Sequence, residues 1–446
     1  MLVKPSNPLQ QTFFTTFEEQ LRHQHPLYRL AHTIDWSVFE KAFTPLYCSD
    51  NGAPAKPIRR MVGLLLLKHI RNLSDERVVE QWEENLYYQY FCGERYAAQG
   101  TPCDASELVH FRRRIGKAGM ELIFRESVHI NGKDSTEPTV CVDTTVQEKN
   151  ITFPTDDKLY KKIIAKCVAI ARQEHVELRQ SYTRTMRKLR YQQRFRRRKT
   201  HQSLARKADR KIKTIAGRLV RELERKLPAD ALARHSVSLQ LFQRVLAQHR
   251  HDKNKIYSLH EPHVACIAKG KAHKQYEFGN KVSVMLTKNS GVIVGALSVE
   301  SNAYDGHTLA PALEQYQRLH QREVQQAIVD LGYRGMDTIG RTEIITPKKK
   351  GQTGYEKTQL RHAHRRRSAI EANISHLKNY YRLGRNFYRA IAGDATNLLL
   401  AASAYNCKRM MNQWKEEAKN IVVFIFSSLQ KFFDPILANP LAKLAF

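Results

Sequence analysis

Apolar side chains in the first 130 residues recur with the period of an α-helix. Positions three or four residues apart fall on the same side of a helix, so such a series marks a helix with one buried face. Asn72-Leu73 interrupts one series, and Ser74 is suited to cap the helix that follows. The series before this break is Met61, Val62, Leu65, Leu66 and Ile70. We therefore predict an all-helical N-terminal domain over residues 1–130, with two of its helices joined by a tight turn.

Two more helix starts in this region are marked by capping residues. Asp35 precedes an apolar-rich stretch and can accept hydrogen bonds from the first backbone N–H groups of a helix. Asp104 and Glu107 have the spacing of a capping box, which opens a further helix. That helix carries an arginine triplet whose members we expect on the exposed side: Arg112, Arg113 and Arg114.

The pattern changes to that of β-strands at residue 139. Thr139–Thr145 is short, apolar and β-branched, and it predicts a buried strand with Asp143 at its end. Ala327–Gly335 repeats this pattern and presents Asp330 in a glycine-containing turn. Strands followed by alternating helix and strand favour an α/β fold, a mixed sheet with flanking helices. The further predicted elements are strands at 264–268, 281–287, 291–299 and 343–346, and a helix at 308–321.

A basic helical segment interrupts this predicted sheet. From Lys158 to Lys226 the sequence holds 24 lysines and arginines against five acids. Long helices are expected there, and a disordered arm that orders on nucleic acid is the alternative. The predicted organisation is a helical N-terminal domain (1–130), the first part of an α/β domain (136–154), a basic helical insertion (155–255), the rest of the α/β domain (256–390) and a C-terminal helical tail (391–446).

The composition indicates a polyanionic partner. Among 446 residues, 74 lysines and arginines exceed 43 aspartates and glutamates, which gives a formal net charge of +31. A net positive charge of this size favours nucleic acid as the partner. Arg196, Arg197 and Arg198 of the insertion could then follow a phosphate backbone, and the paired N-terminal helices with their arginine triplet could read DNA. A solvated helix face is the alternative for both clusters.

Several other classes of protein are disfavoured. The seven cysteines are scattered without a Cys-x-x-Cys pair, so neither a disulfide framework nor a zinc ribbon is indicated. Pro262 interrupts the segment His260–His263, so we expect strand-entry residues there and not a zinc site. Charges and prolines interrupt the apolar segment Ile421–Phe446, which suggests a packing or partner-docking tail and no membrane span. We expect a cytoplasmic protein.

Three acids stand in positions suited to metal-assisted chemistry on nucleic acid. Asp143 and Asp330 follow two strands that could be neighbours, and adjacent carboxylates repel each other unless cations lie between them. Glu371 would lie between Arg367 and Lys378 on one flank of a predicted helix. Oxygen-rich sites favour hard ions such as Mg²⁺ or Mn²⁺. The alternatives are a surface salt bridge for Glu371 and turn or helix capping for the two aspartates.

A fourth polar motif is ambiguous. Asp305-Gly306-His307 could add a polar contact near these acids, but turn formation explains it equally well.

The acids lie in segments that resemble a known family. VCVDTT around Asp143, AIVDLGYRG around Asp330 and RSAIEANISHLK around Glu371 resemble bacterial insertion-sequence transposases of the DDE type, in the grouping of insertion sequence five and insertion sequence four. The family signature around the glutamate is tyrosine, two residues, arginine, three residues, glutamate, six residues and lysine. Arg367 and Lys378 match it at the required spacing from the glutamate. His364 stands where the family has tyrosine.

The resemblance implies a fold and an activity. The fold would be an RNase H-like mixed sheet, and the activity would be metal-dependent cleavage at the ends of an insertion sequence followed by strand transfer into target DNA. Asp143, Asp330 and Glu371 would bind two Mg²⁺ ions, for which Mn²⁺ could substitute. The partners would be double-stranded terminal inverted repeats and target DNA, bound by a homodimer in the bacterial cytoplasm, in association with the nucleoid. The residues expected to contact DNA are His364, Arg367, Lys378, Arg334, Arg112, Arg113, Arg114, Arg196, Arg197 and Arg198.

Three alternatives share parts of this pattern. A metal-dependent nuclease would use the same acids but would release cut DNA without joining it. A non-catalytic DNA-binding descendant would keep the charge, and an RNA-binding protein would use the same basic helices.

Overall fold

The computed structural model describes residues 15–437 apart from 49–50, 53, 272–273, 300–301, 334, 336 and 348–352. Its N-terminal part is helical, as predicted. The break expected at Asn72-Leu73 separates the fourth helix from the fifth. The helix bounds are α1 Phe17–Gln20, α2 Pro26–Thr33, α3 Trp36–Phe43, α4 Ile58–Ile70, α5 Asp75–Glu84, α6 Leu86–Phe91 and α7 Ala105–His129.

The predicted capping residues begin three of these helices. The side chains of Asp35 and Ser74 accept backbone N–H bonds at the starts of α3 and α5. Asp104 and Glu107 form the two reciprocal bonds of a capping box at the start of α7. Helix α7 is interrupted at Gly116, whose φ of 57° and ψ of −161° lie outside the helical range. Glycine adopts such a positive φ without strain, so α7 consists of two helical segments that meet there.

The strands form one mixed sheet with the pairing order β2-β3-β1-β5-β7-β6, to which β4 adds by pairing with β3 and β8 by pairing with β1. β3 runs antiparallel to β1 and β4, whereas β1, β5 and β7 run parallel. The predicted α/β class with a mixed sheet is confirmed. The bounds are β1 Thr139–Lys149, β2 Ala265–Lys271, β3 Lys274–Thr287, β4 Ile293–Val299, β5 Gln326–Ile328, β6 Thr338–Ile339, β7 Thr342–Ile345 and β8 Arg385–Asn386.

β1 and β3 approach each other closely at Gly279. A Cβ atom at this position would overlap the carbonyl oxygen of Gln147 on β1. Gly279 is also the point at which β3 extends from its pairing with β1 to its pairing with β2. Only glycine, which has no Cβ atom, therefore fits at this position.

The basic segment forms helices between β1 and β2. Their buried side chains form a hydrophobic cluster separate from the cluster that joins the N-terminal helices to the sheet. The insertion thus has a core of its own, and its cationic side chains are left for the surface. The limits predicted for the domains stay predictions. The helix bounds are α8 Asp156–Gln173, α9 Thr183–Arg194, α10 Gln202–Lys226 and α11 Ala229–Ala247.

The remaining helices pack around the sheet. Helix α12, Asp305–His320, packs on β3 and β4. Helix α13, Gly354–Arg367, packs on β5, and α14, Ala369–Tyr380, packs on β1. Helix α15, Ala390–Leu437, contacts α2, α4, α7, α14, β4 and β8.

Helix α15 is longer and more central than the tail expected for residues 391–446. Leu398, Leu399 and Leu400 are at most 1% exposed and belong to the main hydrophobic cluster. The side chains from Ile421 to Phe426 are instead at least half exposed, and the docking role suggested for this segment stays a prediction. None of the helices in the described residues is both long enough and apolar enough to span a membrane.

A buried group of charged side chains joins β1, the segment before β2, and α15. The ammonium group of Lys149 lies 2.7 Å from Asp394 Oδ1 and 3.4 Å from Glu261 Oε2. All three side chains are at most 4% exposed. Asn386 donates a further hydrogen bond of 2.6 Å to Asp394. Buried charges are tolerated when they are paired and hydrogen-bonded, so this group fixes α15 to the sheet.

We expect Asp394→Ala to lower the free energy of unfolding by about 3–5 kcal/mol, because it removes the nearest partner of a buried ammonium group. Urea denaturation followed by circular dichroism measures the change.

The matched control is Glu416→Ala, which removes the partner of Lys419 in an exposed pair 2.8 Å apart. Exposed pairs contribute at most about 1 kcal/mol. An equally small effect for Asp394→Ala would contradict the structural role given to the buried pair.

Candidate active site

Parallel pairing of β1 with β5 places Asp143 and Asp330 side by side. The two strands pair as far as Cys141 opposite Ile328. Asp143 and Asp330 each lie two residues beyond this last pair. Because side chains alternate along a strand, Asp143 lies on the same face of the sheet as Cys141. Asp330, which follows the end of β5, lies beside Asp143. The side chain of Asp143 is 16% exposed and that of Asp330 is 38% exposed, so the pair lies at the rim of the core.

The local setting of Asp143 differs from the prediction. β1 continues to Lys149, so Asp143 lies within the strand and not at its end. The strand extends because β3 pairs with it from Val140 to Glu148. Asp330 does follow the end of its strand, as predicted, and its Oδ1 accepts the N–H of Gly332 at 2.8 Å.

Glu371 and Arg367 approach these aspartates from two helices. The sequence predicted a single helix across residues 367–378, but α13 ends at Arg367 and α14 begins at Ala369. Ser368 between them keeps helical angles, with φ −56° and ψ −23°. Glu371 is exposed in the first turn of α14, and Ile370, Ile374 and Leu377 form its buried side as expected.

The guanidinium group of Arg367 lies between the two aspartates. Its Nη2 atom is 3.4 Å from Asp143 Oδ2 and 3.7 Å from Asp330 Oδ2. The side chain is only 15% exposed, and its Nε atom is buried without a hydrogen-bond partner in the described residues. Two carboxylates therefore face one cation.

Burial raises the pKa of Asp143 to about 6. The positive charge of Arg367 acts in the opposite direction, and the negative charges of Asp330 and Glu371 raise this pKa further. Asp330 and Glu371 thus both act electrostatically on Asp143. An added cation would relieve the repulsion between them.

The acids provide the oxygen ligands that hard divalent cations prefer. Among the described residues, no three His, Cys, Asp or Glu side chains lie close enough to form a ready-made metal site. The Arg367 guanidinium supplies the positive charge between two of the acids. The oxygen atoms of Asp143 and Asp330 that now face Arg367 fit a divalent cation at this position.

The other residues of the signature lie along α13 and α14. His364 is half buried one turn before Arg367, and burial lowers its pKa. Lys378 is half buried near the end of α14, 7 residues after Glu371. Arg334 lies outside the described residues, so its predicted DNA contact stays a prediction.

The expectation that Arg112 is displayed is wrong. Its guanidinium group is 8% exposed and donates two hydrogen bonds of 2.8 Å to Asp75. It also lies over the ring of Tyr388, 4.6 Å from the centroid. Helix α7 orients Arg112 towards α5, so this side chain packs between Asp75 and Tyr388 and is not available to contact DNA. Arg113 and Arg114 are exposed as expected.

The basic cluster of the insertion is at the surface. Arg196, Arg197 and Arg198 are exposed in the turn after α9. Arg196 lies 2.5 Å from Asp209, and Arg198 lies over the ring of Phe195. An aromatic ring and neighbouring cations therefore share this turn.

The sequence raised Asp305 as a possible polar contact near the acids, but it did not indicate which side chains Asp305 contacts. Asp305 Oδ1 accepts hydrogen bonds from Thr144 Oγ1 at 2.6 Å and from Lys281 Nζ at 2.9 Å. Tyr333 is fully buried, and burial together with the charges of Asp143, Asp305 and Asp330 raises its pKa. The motif at Asp305 was a signal for this group, but no sequence pattern tied it to Lys281.

Comparison with known proteins identifies related families. Residues 15–114 match the family described as Transposase domain (DUF772), and residues 245–407 match the family described as Transposase DDE domain. A Rhizobium meliloti protein described as "Uncharacterized protein ORF8 in nfe locus" is 41% identical over 186 residues, which are 41% of this chain and 89% of that protein. None of the solved structures matches the chain.

The DDE match spans the residues that carry Asp330, Arg367 and Glu371, and it implies an RNase H-like fold. Transposases of this family act on DNA and generally use divalent metal ions. The chain belongs to the DDE transposase family, and it is the transposase of an insertion sequence.

Proposed function

We propose that this transposase cleaves DNA at the ends of its element and joins the freed ends to target DNA, with Asp143, Asp330 and Glu371 holding two Mg²⁺ ions. One observation carries the proposal. Asp143 and Asp330 face the same cationic group at 3.4 and 3.7 Å, within the electrostatic reach of Glu371.

The bound ions would lower the pKa of an attacking water or hydroxyl group and stabilise charge on the leaving oxygen. In the cleavage step a water oxygen bonds to phosphorus and the bond to the DNA 3′ oxygen breaks. In the joining step that 3′-hydroxyl bonds to a target phosphorus and a target-strand P–O bond breaks. Neither step needs a covalent bond to the protein, so the same acids serve both.

Arg367 is suited to change partners during this reaction. Its guanidinium group now faces carboxylates, and a planar guanidinium also matches phosphate oxygens. Once cations hold the acids, Arg367 would be released to a phosphate beside the break. Lys378 and His364 on the same two helices would add contacts to that strand.

The insertion and the N-terminal helices would hold the terminal repeats. The insertion has a core of its own, and its exposed cations include Arg197 and Arg198 together with Arg196, which also pairs with Asp209. Such contacts supply affinity with little sequence information, so sequence reading is assigned to the N-terminal helices through Arg113 and Arg114. An element has two ends that must be cut together, which favours a homodimer on DNA.

We expect Asp330→Asn to lower the rate of cleavage of element ends at least about 100-fold, because it removes a charged ligand of the proposed ions. The assay incubates flanked element ends and target DNA with Mg²⁺ and separates cleaved from joined products on a gel. Asp230→Asn, an exposed acid on α11, is the control and should keep parent activity.

Two outcomes would overturn the assignment in different ways. Cleavage that survives in Asp330→Asn would remove Asp330 from the site. Cleavage by the parent without any joined product would favour the nuclease alternative.

Arg367→Met should separate metal binding from catalysis. Removal of the guanidinium group leaves the acids without a competing cation, so Mn²⁺ binding to the DNA-free protein should tighten several-fold while cleavage slows. Manganese titration followed by electron paramagnetic resonance measures the affinity.

Arg366→Met changes the exposed neighbouring residue and should alter neither quantity. Unchanged Mn²⁺ affinity in Arg367→Met would show that this guanidinium does not occupy the cation position.

The variant with Arg196, Arg197 and Arg198 all changed to Ala tests the insertion. The slope of log affinity for duplex DNA against log salt concentration should become shallower by about one unit for each phosphate that the variant no longer neutralises. Fluorescence anisotropy over a salt series measures this slope.

The control changes Lys415 and Lys419, two exposed cations of α15, to Ala. A triple variant that keeps the parent slope would remove this cluster from the DNA interface. Equal competition by duplex RNA would favour the RNA-binding alternative.

A further inference from the structure

A fourth carboxylate lies beneath the proposed metal-binding acids. Asp305 is the first residue of α12, and its side chain reaches across to the sheet. Its Oδ1 atom accepts hydrogen bonds from Thr144 on β1 at 2.6 Å and from Lys281 on β3 at 2.9 Å. Lys281 also donates a bond of 2.6 Å to the carbonyl oxygen of Ala303, which fixes the segment before α12.

The side chain of Asp305 and the turn that contains its backbone use different hydrogen-bond partners. The turn uses the backbone carbonyl oxygens of Asp305 and Tyr304, which accept hydrogen bonds from Thr308 Oγ1 at 2.7 Å and from the His307 N–H group. The Asp305 carboxylate is bonded to the sheet instead. Turn formation therefore does not account for the acid at this position.

The same carboxylate borders Asp330. A Cβ atom on Gly332 would lie 2.9 Å from Asp330 Oδ1 and 3.2 Å from Asp305 Oδ2. Both carboxylates thus border the space that the missing side chain of Gly332 leaves open. Any larger residue there would displace one of them.

At Asp143, β1 is paired with β3 but no longer with β5. β1 pairs with β5 only as far as Cys141, so the ladder on that side stops before Asp143. The next residue, Thr144, is the one that Asp305 holds, and its backbone N–H donates to Asp143 Oδ1 at 2.8 Å. Because side chains alternate, Asp305 holds β1 from the face opposite Asp143.

We propose that Asp305 is a positioning residue of the active site, which holds the strand of Asp143 in place relative to Asp330 and so sets the affinity of the site for divalent cations. The inference rests on the proposed role of Asp143 and Asp330 as metal ligands. Asp305 acts through Thr144 and Lys281 and through the space at Gly332. Groups that orient metal ligands typically contribute about 10–100-fold to affinity or activity.

The test compares Asp305→Ala, Asp305→Asn and Thr144→Val in the full-length protein. Mn²⁺ affinity is measured without DNA by electron paramagnetic resonance, and the Mg²⁺ concentration for half-maximal cleavage is measured with element ends. Asp305→Ala should weaken Mn²⁺ binding about tenfold and raise the Mg²⁺ requirement. Thr144→Val should change both in the same direction, and Asp305→Asn, which keeps an acceptor oxygen, should fall between.

The matched control is Glu314→Gln, an exposed acid on the same helix, which should leave both readouts unchanged. Thermal unfolding of each variant reports any drop in stability separately. If Asp305→Ala does not fold, the size-preserving Asp305→Asn and Thr144→Val variants carry the test.

The outcomes distinguish this inference from the function on which it rests. A lower melting temperature with unchanged Mn²⁺ affinity and Mg²⁺ requirement in the folded variants would make Asp305 merely structural. Asp330→Asn measured in parallel reports on the proposed function. Loss of metal binding in Asp330→Asn with no change in the Asp305 and Thr144 variants would overturn this inference alone, and unchanged binding in Asp330→Asn would overturn both.

Discussion

Repulsion between carboxylates at the rim of the core is the constraint on which the rest of the structure depends. Asp143 is held in a half-buried position with Asp330 and Glu371 near enough to raise its pKa. Arg367 offsets part of this repulsion from the end of α13. In a flexible chain this repulsion would drive the acids apart. The surrounding elements must therefore hold them.

The sheet supplies that rigidity from several directions. β3 pairs with β1 along nearly its whole length, β5 fixes the level of Asp330, and α15 is joined to β1 through the buried pair of Lys149 and Asp394. The N-terminal helices are joined to the same core, since Arg112 links Asp75 on α5 to Tyr388 next to β8. The N-terminal helices and the strands that carry Asp143 and Asp330 thus belong to one packed body.

The sequence predicted the parts of this arrangement that local patterns encode. Helix starts followed from capping residues such as Ser74 and Asp104, and the two aspartates followed from apolar runs that end in an acid. Tertiary contacts decided the rest. Arg112 looked exposed by its charge, yet Asp75, 37 residues away, buries it.

The errors near the active site have the same origin. The boundary between α13 and α14 at Ser368 keeps helical angles and has no glycine or proline to mark it, although α13 packs on β5 and α14 packs on β1. The bond between Asp305 and Thr144 spans 161 positions, and no periodic pattern reports a pairing over that distance. Single-sequence reasoning therefore predicted Asp143 and Asp330 on neighbouring strands, but not the contact between Asp305 and Thr144.

The separate core of the insertion bears on how this chain folds. β1 and β3 must pair although the whole insertion lies between them in sequence, and closing a long loop carries an entropic cost that grows with its length. Helices α8 to α11 pack on one another, and α10 contacts each of the other three. If they collapse first, the two strands are tethered by a compact unit and not by an open coil. The insertion would then shorten the search that brings Asp143 into the sheet.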